Sequence, residues 1–113
     1  MATFKPGMVV RVPFPFVDSA EVKHRPALVL SSEEFNRRHA HVVLAMITSA
    51  KHTRWVSDVP ISDLGSAGLK APSVIRFKIF TLDARLVAGS LGRLSAANWK
   101  TAKRNLSQVF DGS

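Results

Sequence analysis

Two side chains in this sequence, Arg25 and Thr48, have the means to grip a phosphodiester. Arg25 stands in Lys23-His24-Arg25-Pro26, at the head of an apolar run from Ala27 to Leu30. A guanidinium is planar and permanently charged, and its fork can hold two phosphate oxygens at once. It keeps its proton too tightly to act as a general base. Thr48 closes a second apolar run, Val42 to Ile47, and is followed by Ser49. Its hydroxyl can bond the same phosphate or, as strand-end threonines commonly do, its own backbone. Two imidazoles adjoin the pair, His24 beside Arg25 and His52 just beyond Thr48. Imidazole titrates near neutrality and can take or give a proton, although either ring can equally be an exposed histidine with no role.

Bringing these groups to one place requires strands. Lys5-Pro6-Gly7 is a turn signal, and Met8 to Phe16 then alternates. Val10, Val12, Phe14 and Phe16 share one face; Val9, Arg11, Pro13 and Pro15 share the other, which predicts a half-buried strand. Pro13 and Pro15 cannot donate to a ladder, so the far end is an edge or leaves the sheet. A polar loop containing Asp18 and Lys23 follows. The continuous runs Ala27–Leu30 and Val42–Ile47 predict strands covered on both faces. Between them, Ser31-Ser32 before Glu33-Glu34 marks a short helix to about His39, anchored by Phe35.

Beyond Thr48 the chain is polar and cationic as far as Arg54, and Trp55 to Ile61 alternates weakly, ending near Pro60. Ser62-Asp63 can cap one helical turn, broken by Gly65 and Gly68. Val74 to Leu82 alternates clearly, with Ile75, Phe77 and Ile79 on one face and Arg76, Lys78 and Phe80 on the other. A last strand lies within Leu86–Leu94, where Gly89 and Gly92 suggest a bulge or tight bend. Ser95 caps a C-terminal helix with Trp99, Ala102, Leu106, Val109 and Phe110 on one face. Five to seven short strands punctuated by Gly and Pro, with one terminal helix, predict a mainly β small barrel.

The 113 residues fit a single domain, 1–113. No cysteine is present, so disulfides and thiolate metal sites are excluded. No apolar run approaches the ~20 residues of a membrane span, and Met1–Gly7 has no secretory core, so the expectation is a soluble cytoplasmic protein without membrane contact. His39 and His41 lack a nearby carboxylate, no glycine-rich phosphate loop precedes a helix, and the expectation is no metal and no cofactor. Sixteen Lys and Arg against eight Asp and Glu leave a net charge of +8, which attracts polyanions or an acidic partner.

Four blocks, Gly7–Phe16 (GMVVRVPFPF), Lys23–Ser31 (KHRPALVLS), Val43–Ala50 (VLAMITSA) and the segments PSVIRFKIFTLD and LGRLS within 72–95, together resemble the PemK/MazF toxins of bacterial type II toxin–antitoxin systems. The resemblance implies an SH3-like barrel of the CcdB/Kid/MazF kind, a homodimer, and metal-independent, sequence-selective endoribonuclease action on single-stranded RNA. It also implies neutralisation by a cognate antitoxin whose flexible acidic tail occupies the RNA groove, and DNA binding together with that antitoxin. In typical members the arginine of the RP motif and the threonine of the ITS motif carry catalysis, here Arg25 and Thr48. Some relatives carry an acid shortly after the arginine of the SVxR block; here Arg76 is followed by Phe77 and Lys78, and the next acid is Asp83.

Such chemistry uses the 2′-OH as internal nucleophile, so the protein aligns the attack and stabilises a dianionic phosphorane. Arg25, Thr48 and His24 are the candidate catalytic residues. Phe16, Asp18, Lys23, Ser49, Lys51, His52, Arg54, Arg76 and Lys78 are the candidate RNA-binding set; Phe16 and Trp55 can stack unpaired bases or serve core or dimer packing. Two rival readings share the fold. One is a gyrase poison, which the family associates with an apolar, Trp-containing C-terminal tail that Val109-Phe110-Asp111-Gly112-Ser113 does not match. The other is a non-catalytic RNA-binding barrel.

Overall fold

The computed structural model describes residues 3–14 and 23–111. Along the chain run β1 (Met8–Pro13), β2 (His24–Val29), α1 (Glu33–His39), β3 (His41–Ser49), β4 (Val59–Pro60), α2 (Leu64–Ala67), β5 (Ser73–Asp83), a 3₁₀ turn (Ala84–Leu86), β6 (Gly89–Arg93) and α3 (Ala96–Phe110). The strands form one curled antiparallel sheet in the order β4-β5-β3-β2-β1-β6. The fold is thus mainly β with a C-terminal helix and short connecting helices, as the sequence patterns predict.

Both faces of the sheet carry a core. On one side Val9, Leu28, Ala45, Ile47, Ile75 and Phe77 pack under α3, which contributes Ala102, Trp99 and Leu106. On the other, Val10, Val12, Phe14, Ala27, Val29, Val42 and Leu44 pack together, with Phe4, Met46, Phe80 and Leu82 against them. This corrects the expectation that β1 is half-buried: Val9 is as fully buried as Val10 and Val12. The apolar side of α3 closes over it, whereas Arg11, further along the same face, stays exposed. The last turn of the helix outruns the sheet, so Val109 and Phe110 are exposed rather than continuing the buried face.

α1 begins as its sequence predicts, with Ser32 Oγ accepting from Phe35 N at 3.1 Å. Its anchor is not Phe35, which is exposed, but Asn36. The Asn36 carboxamide donates to Phe4 O (2.9 Å) and Ser31 O (3.2 Å), and accepts from Ser31 Oγ. The helix lies over backbone carbonyls, and a carboxamide satisfies them where an aromatic ring cannot.

The weakly alternating stretch 55–61 forms only the two-residue β4; residues 50–58 are a loop. Asp63 caps α2 by accepting from Ser66 N at 3.0 Å. Gly92 lies close against α2, where a Cβ would stand 2.4 Å from Ser66 O. The bulge expected around Gly89 and Gly92 is present in β6: Val9 pairs with Gly92 and Val10 with Ser90, so Leu91 is the extra residue.

Candidate functional site

β2 and β3 pair with Ala27 opposite Met46, Leu28 opposite Ala45 and Val29 opposite Leu44. Extending that register by two residues brings Arg25 opposite Thr48. Alternation places both on the same side, since Arg25 keeps step with Ala27 and Val29, and Thr48 with Met46 and Leu44. Directly opposed Cβ atoms in such a pair lie about 5 Å apart. The two residues sit at the rim of the second core, Thr48 largely buried and Arg25 exposed. Among the described residues Arg25 makes no ion pair. Pro26, which has no N–H, separates it from the fully buried Ala27.

Not every candidate joins them. His24 is exposed, and strand alternation directs its side chain to the opposite side of β2 from Arg25. Ser49 is likewise out of step with Thr48, and its Oγ accepts from Lys51 N at 3.2 Å, closing the turn after β3. Lys23, Lys51, His52 and Arg54 are exposed and flank the Arg25 and Thr48 ends of their strands. Phe16 and Asp18 lie outside the described residues.

Arg76 differs from its expected place on an open phosphate track. It lies opposite Met46 on β5 and is nine-tenths buried. Its Nε donates to Asp58 Oδ1 at 3.2 Å, one Nη2 proton goes to Asp58 Oδ2 at 2.8 Å, and Nη2 also donates to Thr53 O. The guanidinium therefore holds loop 50–58 against β5. Burial by itself would push the Asp58 carboxyl up; the Arg76 guanidinium and the Trp55 N–H (2.9 Å) outweigh it and hold it below the usual carboxylate range. The Arg76 guanidinium is held up in turn by its bonds to Asp58, against the opposing effect of burial.

Trp55 lies over this pair. The Arg76 guanidinium carbon is 5.0 Å and Lys78 Nζ 5.9 Å from the indole ring centre, within cation–π range. Asp58 was not singled out by sequence reasoning, although it is the one acid between Glu34 and Asp63, in a loop rich in cations. That isolation was the available signal. Among the described residues no group of three or more His, Asp or Glu side chains is gathered to hold a metal, and no helix is long and apolar enough to cross a membrane.

Comparison with solved structures places this architecture among bacterial toxins. The MazE–MazF complex of Deinococcus radiodurans superposes with a TM-score of 0.78 at 22% identity, covering 99% of this chain and 100% of the other. An endoribonuclease in complex with its cognate antitoxin from a Mycobacterial species gives 0.76 at 19% identity, covering 100% and 98%. The Mycobacterium tuberculosis toxin MazF-mt6 gives 0.73 at 23% identity, covering 94% and 98%. At these identities the likeness is one of fold. No curated protein matches the sequence. The sequence profile of one family, however, runs from residue 5 to residue 110, through every strand and helix described above, and by that match the chain belongs to the PemK-like, MazF-like toxins of type II toxin–antitoxin systems.

Proposed function

We propose that the protein is a sequence-selective, metal-independent endoribonuclease that cuts single-stranded RNA at a phosphodiester held between Arg25 and Thr48. The observation that supports this reading is the β2–β3 register, which, continued two residues beyond Ala27 and Met46, sets Arg25 and Thr48 opposite each other on one face. The 2′-OH attacks the adjacent phosphorus, the bond to the 5′ oxygen breaks, and the products are a 2′,3′-cyclic phosphate and a 5′-hydroxyl. The Arg25 fork takes the charge that builds on the non-bridging oxygens, and the Thr48 hydroxyl donates to one of them. Arg25 acts as a fixed cation, since it keeps its proton throughout. Lys23, Lys51, Arg54 and Lys78 extend the positive field along the strand ends, His52 offers a ring nitrogen beside them, and Arg76 acts through the loop it pins.

The protein works in the cytoplasm as a homodimer and inhibits growth until a cognate antitoxin with an acidic tail covers the same groove. The family membership, the net charge of +8 and the similar fold found in complex with a cognate antitoxin support this. The test is incubation of purified protein with a long RNA in EDTA, followed by mapping of the ends. Discrete fragments with cyclic-phosphate and 5′-hydroxyl termini, absent for Arg25→Ala, are expected. Cleavage by that variant at the parental rate overturns the reading.

A further inference from the structure

We propose that the exposed face of Trp55 is a stacking platform for one unpaired nucleobase next to the cleaved phosphate, an inference that rests on the nuclease reading above. Trp55 is 42% exposed, yet its backbone is tightly fixed. Its N–H donates to Asp58 Oδ2 (2.9 Å), its carbonyl accepts from Asp58 N (3.1 Å), and Asp58 is locked in turn by Arg76. An aromatic ring held this firmly at the surface loses little conformational entropy on binding, the condition under which a stacking contact contributes most.

The position fits a strand of RNA passing Thr48. Val74 lies opposite Thr48, and Arg76, two residues further along β5, lies opposite Met46; Lys78 falls in the stretch where the register with β3 shifts. Both cations lie within cation–π range of the indole, and the residue keeps 42% of its surface open to solvent.

The surroundings select the partner. Lys51, His52 and Arg54 are exposed on the same loop, Lys78 Nζ lies 5.9 Å from the indole centre, and the one acid of loop 50–58, Asp58, is buried and neutralised by Arg76. Protein interfaces deplete charged residues, lysine above all, around their aromatic anchors. Grooves for single-stranded nucleic acid combine a cationic track with aromatic rings on which bases stack.

The test uses the full chain and fluorescently labelled 2′-O-methyl oligonucleotides of mixed sequence, which lack the free 2′-OH and stay intact. An abasic phosphodiester of equal length and charge serves as the second probe. Trp55→Ala is expected to weaken binding of the base-bearing oligomers by about 5- to 150-fold and to leave the abasic binding unchanged. Trp55→Phe, which keeps an aromatic face and guards against misfolding, is expected to lose much less. Equal weakening of both probes, or none, overturns the platform. So does a fall in assembled mass for Trp55→Ala in sedimentation without the base-dependent difference, because it assigns the ring to a protein contact. Failure of the wild-type protein to cut any RNA overturns the nuclease reading instead, and the binding contrast still decides for or against the stacked base.

Discussion

Arg25 and Thr48 make unequal demands on substitution. Removing a preorganised donor aimed at developing charge costs about 3–4 kcal/mol, so Arg25→Ala is expected to lower kcat for RNA cleavage by about 10²–10³ with the far-UV circular dichroism unchanged. Arg25→Lys is expected to recover little, because an ammonium cannot reproduce a bidentate grip. Thr48→Val removes one neutral hydroxyl and is expected to cost about tenfold. Asp58 belongs to the same scale for a different reason. Its folded-state pKa is depressed, so its contribution to stability is complete above the unfolded value of about 3.9 and disappears as pH falls through the lowered folded value. Asp58→Asn leaves Arg76 buried without its counter-charge and is expected to cost about 3–5 kcal/mol at neutral pH, measured as a fall in the urea midpoint. Below pH 4 wild type and variant converge. A gap that stays constant from pH 6 to pH 2 sinks the assignment of that carboxylate as the ionised partner.

At the scale of the elements, most of the fold could be read from the chain, and the misses have physical causes. The long alternating stretch of β5, the apolar runs of β2 and β3, and the hydroxyl caps of α1 and α3 all lie where periodicity and capping place them. β4 shrank to two residues because Asp58 and Arg76, partners 18 apart in sequence, fold residues 50–58 into a loop. No local pattern reports a bond over that separation. The same limit governed the site. Arg25 and Thr48 were legible as strand-end residues with the right chemistry, whereas the burial of Arg76 and the divergence of His24 follow from pairing and alternation. Two backbone features remain testable. Gly92→Ala drives a methyl into Ser66 O, where α2 crosses β6, and is expected to destabilise by about 1–3 kcal/mol or more. Ala40, at the end of α1, has φ 52°, a left-handed conformation in which an L side chain costs about 1 kcal/mol. Ala40→Gly is therefore expected to raise the thermal midpoint by a few degrees, since it removes that strain at the helix C-terminus.

The molecule as a whole carries a net charge of +8, and how that charge is spent separates recognition from mere attraction. Of the cations near Thr48, Arg76 is neutralised internally by Asp58, whereas Lys51 and Arg54 stand in solvent with no ion pair among the described residues. Each solvent-facing cation that meets a phosphate releases condensed counterions, so the logarithm of the affinity for single-stranded RNA falls linearly with the logarithm of salt concentration, by about 0.7 per contact. Lys51→Gln and Arg54→Gln are each expected to flatten that line by about 0.7. Trp55→Ala is expected to shift it downward without changing its slope, because stacking releases no ions. Lys100→Gln, on the helix far along the chain, is expected to leave the slope as it is. The measurement is anisotropy of a labelled 2′-O-methyl oligomer from 50 to 300 mM salt. A slope insensitive to Lys51 and Arg54, yet altered by Lys100, would move the nucleic-acid track off the β2–β3 rim and onto the helical side of the molecule.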